Sequence, residues 1–346
     1  MHSPRPTMIF GHVLLAVAAL APPALAADPP PARFEPMAQD TIVPAGSKLE
    51  AVWSAGEFTE SPVATADGAI LFSDIGDRIL RFDPASGSVS EFRSPSGKSN
   101  GLVFNAGGQL IACEGAGPGG NRRISITDAQ GTVRVLADHY QGKRFNSPND
   151  LDVTRSGAVY FSDPRYVGDE PRELDFEAVF LVEPGGAVRI ATRDVQKPNG
   201  ILVTPDGKTV YVSDNNNRPE GHHQLVAFRV RADGTLDDKG VLFDFGPNRR
   251  GIDGMTLDAE GNIYAAAGRG GEAGIYVFSG NGAPLAFVPM PGDPTNCAFG
   301  VGDQSQVLYI TAASRPGQPD GARPPYALFR IRLAKAGYQL FPPAAK

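Results

Sequence analysis

The chain has 346 residues, a formal net charge of −6, 41% hydrophobic residues and two cysteines. A mildly acidic chain without a basic cluster argues against nucleic acid or an anionic lipid surface as partner. Two cysteines exclude a disulfide framework; Cys113 and Cys297 either form one bridge in an oxidising compartment or, the favoured reading, are two buried free thiols.

Residues 1–26 read as a signal peptide. Arg5 precedes the apolar run VLLAVAALAPPALA, which ends in Ala24-Leu25-Ala26, a small-x-small cleavage pattern. The run is too short and too proline-interrupted to span a bilayer, and nothing later approaches a span. The expectation is an exported protein without membrane insertion, periplasmic in a double-membraned bacterium, with full secretion as the other destination. Loss of Arg5 with this segment takes the net charge to −7. Residues 27–46, rich in Pro and Ala, read as a flexible lead-in.

From residue 47 to residue 342 the pattern is β throughout, and no amphipathic helical stretch stands out. Apolar runs with Val, Ile, Phe and Tyr alternate with DG, GG, SG and NG turns. A unit of inner run, turn glycine, second run, third run, turn and fourth run recurs six times. TADGAILFSDIGDRILRFDPASGSVSEF is one copy, and TPDGKTVYVSDNNN with LVAFRVRADGTLDDKGVLF is another. The period of about 40–54 residues with four strands per unit predicts a single domain, an all-β six-bladed β-propeller of four-stranded antiparallel blades around a central channel. The early segment KLEAVWS is expected to lend a strand to the last blade and close the ring, which removes free sheet edges.

One polar position keeps register through all six units. Glu60, Asn100, Asn149, Asn199 and Asp253 each lie eight residues before a turn glycine, namely Gly68, Gly108, Gly157, Gly207 and Gly261. Asn296 holds the same place in a sixth, divergent copy, where Gln304 replaces the glycine. Taken singly, Asn or Asp beside Gly is an ordinary turn former. A turn role does not require an acid or amide at one offset in every unit, so the shared register carries the reading. The inner strand of a propeller blade lines the channel, so the six side chains are expected to converge near one mouth. Two carboxylates and several amides make a hard oxygen site suited to one divalent cation. Ca²⁺ leads, with Mg²⁺, Mn²⁺ and Zn²⁺ left open.

A second set, Asp74, Glu114, Asp163 and Asp214, follows the next apolar run. Asp74 and Asp163 read as strand-end Asx turns. Glu114 is followed by GAGPGGNRR, which brings Arg122 and Arg123 nearby. Such a group either grips a hydroxylated substrate at the channel mouth or forms a structural ion pair. After the leader only His139, His222 and His223 remain, and His222-His223 reads as solvated surface. There is no G-x-S-x-G elbow, no candidate Ser-His-Asp order and no phosphate loop, so nucleophilic hydrolysis and nucleotide chemistry are poor fits.

At these residues the chain resembles the family that joins senescence marker protein, gluconolactonase and luciferin-regenerating enzyme, and within it the bacterial gluconolactonases. The likeness is carried by TESPVATADGAILFSD, SNGLVFNAGGQLIACEG followed by NRRI, GKRFNSPNDLDVTRSGAVYFSDPRY, KPNGILVTPDGKTVYVSD, GIDGMTLDAEGNIY and PTNCAFG. Together these span essentially the whole chain after the leader. The resemblance implies a six-bladed propeller with one divalent cation, hydrolysing a sugar lactone to the open acid. By motif the metal ligands are Glu60, Asn199 and Asp253, with Asn149 completing the site or touching substrate. Asn100 and Glu114 match segments placed around the substrate, and Arg123 and Asn296 join them as substrate-side candidates. Two departures stand out: Ser61, where the family usually has Gly, and GAGPGG, where gluconolactonases commonly carry a His-containing turn. Serine there has a less permissive backbone.

The expected chemistry is metal-assisted ester hydrolysis without a covalent nucleophile, with Asp253 as general base and Asn149 and Asn100 at the developing oxyanion or the ring hydroxyls. The rivals are hydrolysis of another lactone or ester, a condensing propeller, and a non-catalytic exported propeller that holds a sugar acid or a protein partner.

Overall fold

Each of the six units folds into one four-stranded antiparallel sheet. The computed structural model describes residues 33–218, 220–317 and 324–340, together with Met1. The chain divides into two compact units, Met1–Pro30 and Pro31–Lys346, and everything below belongs to the second. The leader assigned to residues 1–26 falls, Met1 apart, outside the described residues.

Blade 1 runs inner to outer as Thr59–Ala64, Ile70–Asp74, Arg78–Phe82 and Val89–Arg93. The inner strands of blades 2 to 6 are Ser99–Phe104, Leu151–Val153, Pro198–Val203, Ile252–Leu257 and Pro294–Phe299. The turn glycines after these strands carry positive φ in five blades, for example Gly68 at 90° and Gly157 at 89°, a conformation that costs a side chain but not glycine. Blade 6 solves the same corner with a 3-10 turn, Gly302–Gln304, which explains why Gln304 stands where the others have glycine. The segment Glu50–Gly56 pairs with Tyr326–Arg332 as the outermost strand of blade 6, as expected from KLEAVWS. The first and last parts of the propeller are thus zipped in one sheet, and the ring closes.

Each blade is sandwiched between two neighbours, so both faces of its middle strands are buried and read as continuous apolar runs rather than alternating ones. Ile70–Asp74, Leu110–Glu114 and Ile263–Ala267 are buried at every position. The apolar clusters accordingly sit between blades: Leu71, Ile79, Leu102 and Leu110 join blades 1 and 2, and Phe72, Phe82, Tyr309 and Leu328 join blades 6 and 1. Each such side chain contributes about 1.5–3 kcal/mol on burial.

The inner strands present their outer edges to the channel, and their backbone groups need partners. Neighbouring blades supply them. Leu102 N donates to Ser61 Oγ at 2.8 Å, Gly101 N to Asn149 O at 2.7 Å, and Val203 N to Asp152 Oδ2 at 2.7 Å. Ile201 N donates to Asp150 Oδ2 at 3.2 Å, and Thr295 Oγ1 to Thr59 O at 2.8 Å. Neighbouring inner strands are therefore stitched together by backbone and short polar groups at or within four residues of the ring positions.

The second acidic set has a shared structural task. Asp74 accepts from Glu57 N and Phe58 N, Asp163 from Asn146 N and Ser147 N, and Asp214 from Gln196 N and Lys197 N. Each acid thereby fixes the loop that leads into its own blade's inner strand. In blade 2 that task falls to Asp77, whose Oδ1 accepts from Ser96 N, Gly97 N and Lys98 N.

Three features differ from the sequence reading or sharpen it. Residues 34–43 lie in the stretch read as a flexible lead-in, yet Phe34 packs edge-on against Tyr276 and Phe278, and Ile42 of the short helix Gln39–Ile42 is buried in the core between blades 5 and 6. The proline-rich composition hid two apolar anchors. His223, read as surface, is buried and opens the third strand of blade 4, with Nδ1 against Gly246 O. Cys113 and Cys297 are both free and buried.

Candidate active site

Glu60, Asn100, Asn199, Asp253 and Asn296 sit at or near the start of their inner strands, and Asn149 lies just ahead of the short strand Leu151–Val153. Asn199 Nδ2 donates to Asp253 Oδ1 at 2.7 Å. The second oxygen of Asp253 pairs with Arg250 Nη2 at 2.5 Å. Glu60 is buried, and its carboxyl is pushed well above the usual range by that burial, then by the charges of Asp253 and Asp150. The Ser61 N–H and Arg250 act against this rise. Asp253 is raised by burial too, with Arg250 and Asn199 opposing. Two carboxylates from blades 1 and 5 thus feel each other's charge, and an amide from blade 4 touches the second of them.

Crowding at the channel explains the glycine that follows three of the ring positions, Asn100, Asn199 and Asp253. A Cβ on Gly254 would lie 2.0 Å from Asn296 Cγ, and one on Gly200 would lie 2.5 Å from Asp253 O. Glycine is required there for the inner strands to approach. Ser61 takes the corresponding place in blade 1 at φ 45°, a region serine enters at a cost. Its hydroxyl offsets that cost by accepting from Leu102 N, and its N–H lies 3.1 Å from Glu60 Oε2. The glycines at the matching places, Gly101, Gly200 and Gly254, do not carry positive φ, so blade 1 departs from the others in backbone as well as in residue type.

The remaining ring members split into two groups. Asn100 and Asn149 are partly exposed, and their amides have no hydrogen-bond partner among the described residues, so they are free to meet a ligand. Asn296 is buried at the cavity wall, its Oδ1 accepting from Cys297 N at 2.8 Å. Glu114 and Arg123 meet each other rather than open space. Glu114 is buried, with Oε2 on Arg123 Nε at 2.7 Å and Asn121 Nδ2 at 2.5 Å, and Oε1 on Arg93 Nη2 at 3.1 Å. The ion pair expected as one of the two readings at Glu114 is thus present. Arg122 is likewise buried, donating to Phe145 O at 2.7 Å.

Sequence reasoning did not single out Arg250, Tyr166, Tyr326 or Asp150. Tyr166 is half-buried with its hydroxyl on Asn215 O at 2.7 Å, and desolvation followed by the charge of Asp253 raises its phenol far above the ordinary value. Burial pushes Tyr326 up to about 12, with Arg250 opposing. Asp150 is pushed up to about 8 by burial, against the Leu151 and Ile201 N–H groups that hold it. Only Arg250 and Asp150 carried a signal, as charges beside a ring residue in NRRGID and PND. A cavity of about 1330 Å³ occupies the turn side of the channel. Its wall reaches Ser61, Asp150 and Asn296 and includes Tyr338–Leu340, but not Glu60, Asn199 or Asp253.

The donor set can be judged for a cation on its chemistry. Among the described residues no three His, Cys, Asp or Glu side chains form a metal-holding group. The ring offers two acids, and its third donor would be the Asn199 amide oxygen. Two buried carboxylates that repel each other, with amide oxygens alongside, fit a hard divalent cation.

The class is a closed six-bladed propeller that carries acid and amide side chains at or near the starts of its inner strands, two of which, Asn199 and Asp253, meet. The chain belongs to the SMP-30/Gluconolactonase/LRE-like family, whose model matches residues 58–314. A gluconolactonase of Zymomonas mobilis is 31% identical over 302 residues, 79% of this chain and 81% of that protein. The structure of a gluconolactonase from Xanthomonas campestris superimposes with a TM-score of 0.72 at 30% identity, covering 90% of this chain and 98% of that one. A calcium-binding regucalcin from Agrobacterium tumefaciens shares the fold at TM-score 0.67 and 21% identity, over 87% and 97% of the two chains.

Proposed function

We propose that this chain is a lactonase that hydrolyses a sugar lactone of the gluconolactone kind to its open acid, using one divalent cation held by Glu60, Asn199 and Asp253. The observation that carries the reading is the meeting of Asn199 and Asp253 at 2.7 Å within electrostatic reach of buried Glu60. The likeness to gluconolactonases over most of both chains supports the reaction class.

When bound, the cation supplies stabilisation of the negative charge that develops on the lactone carbonyl oxygen. Asp253 takes the proton of the attacking water, and Arg250 beside it favours the ionised form that a base requires. The water oxygen bonds to the carbonyl carbon, the ring C–O bond breaks, and the proton passes to the departing alkoxide. Asn100 and Asn149, with unpartnered amides, hold the ring hydroxyls or the carbonyl oxygen. Tyr166 and Tyr326 wall the site and limit water. The leader read at residues 1–26 sets this reaction in the periplasm, which N-terminal sequencing of the mature protein from that fraction tests.

Acid release from δ-gluconolactone, followed with and without EDTA, tests the reaction itself. Turnover that EDTA stops supports the reading. Full activity in metal-stripped protein overturns the cation's role, and binding without turnover overturns the enzyme.

A further inference from the structure

Arg250 is paired with a ring acid, Asp253, and it is anchored. Its Nη1 donates to Pro294 O at 2.6 Å and to Gly268 O at 3.2 Å, so two separate segments of chain grip the guanidinium. Its Nη2 holds Asp253 Oδ2, and its side chain is 14% exposed. A guanidinium keeps its charge at any working pH, unlike an amine. Asp253 therefore has one oxygen engaged by a permanent positive charge and the other turned to Asn199.

Those contacts have two consequences for a divalent cation arriving beside Glu60, Asn199 and Asp253. The net charge it meets is that of two carboxylates less one guanidinium, which weakens the attraction at contact distances in a poorly solvated site. Asp253 can also offer only a single oxygen, whereas large hard cations gain from two-oxygen carboxylate ligation. Against these effects, Arg250 prevents the Asp253 side chain from swinging away, which favours binding. The charge effect acts at ion-pair distance and is the larger of the two.

Building on the cation site proposed above, we infer that Arg250 is a positioning residue for the cation site: it holds Asp253 to one-oxygen donation and sets the affinity for a divalent cation low enough for ready exchange.

Calorimetric titration of chelator-stripped protein with CaCl2 tests it. R250Q is expected to bind Ca²⁺ at least tenfold more tightly than the unaltered protein, whereas R250K, which keeps a charge, stays within about threefold of it. Melting curves for each variant establish that it is folded, and R250M replaces R250Q if the amide does not fold. Equal affinity in the unaltered protein and R250Q overturns the inference and leaves the cation site standing. Weaker binding in both R250Q and R250K assigns Arg250 a merely structural hold on Asp253 and likewise overturns it. Absence of Ca²⁺ binding in every form overturns the cation site itself.

Discussion

Asn199 and Asp253 lie 54 residues apart in the chain and touch at 2.7 Å, side chain to side chain, across two neighbouring blades. Asp253→Asn keeps this contact's shape while removing a charge, a ligand and the base. It is expected to lower kcat/KM for δ-gluconolactone by about 10²–10⁴-fold and to abolish Ca²⁺ binding, and to lower the melting temperature because Arg250 loses its counter-ion. Activity within threefold of normal would remove Asp253 from the mechanism.

Chelation should act on stability as well as rate. A ligand bound only by the folded state adds about 2.7 kcal/mol when present at 100 times its dissociation constant. Stripping the protein with EDTA is thus expected to abolish lactone hydrolysis and lower the melting temperature, both restored by excess Ca²⁺. Identical melting curves with and without Ca²⁺ would argue that no cation is held.

Acids buried along the channel and at its blade ends give the stability a pH dependence of definite sign. Burial raises Asp150 to about 8, Asp163 to about 7 and Asp152 to about 6. The folded chain then holds protons that the unfolded chain, with carboxyls near 3.9, has already released. Stability is highest at the acid end of this window, falls as pH climbs from about 4 to about 8, and levels off above. Thermal melts at pH 5, 6.5 and 8 check it, and Asp152→Asn should show a shallower decline. A melting temperature that rises across that window contradicts the assignment.

Ser61 tests the balance between strain and hydrogen bonding. Ser61→Ala keeps the positive φ and leaves Leu102 N without its acceptor, so it should cost about 1–3 kcal/mol in urea unfolding. Ser61→Gly loses the same bond but relieves the backbone, and the net change should be smaller by about 1 kcal/mol. Equal losses in both variants would mean that the φ of 45° carries no strain.

Glu114 separates a structural acid from a substrate contact. Glu114→Gln leaves Arg93 and Arg123 short of their counter-ion, at an expected cost of about 3 kcal/mol for a pair this buried. Per folded molecule, KM for δ-gluconolactone should be unchanged. A raised KM with normal stability would return Glu114 to the substrate.

The sequence by itself determined the six-fold architecture, because a propeller writes one register six times. Five turn glycines at positive φ, the polar residue eight places before each, and the strand that KLEAVWS lends to the last blade were all legible. Even the exception at Gln304 marked a real change of turn. Local chemistry of this kind survives in the linear text because backbone geometry restricts which residues fit.

Only the tertiary structure decided which side chains meet. Glu114 finds Arg93 and Arg123, Phe34 finds Tyr276 and Phe278, and Arg250 finds Asp253 together with the carbonyls of Gly268 and Pro294. Neither the burial of His223 nor the transfer of the loop-clamping task to Asp77 follows from spacing. The physical reason is that the strength of a charge depends on its distance to others and on how much water surrounds it. Both quantities are properties of the closed ring, where strands distant in sequence become neighbours around one channel.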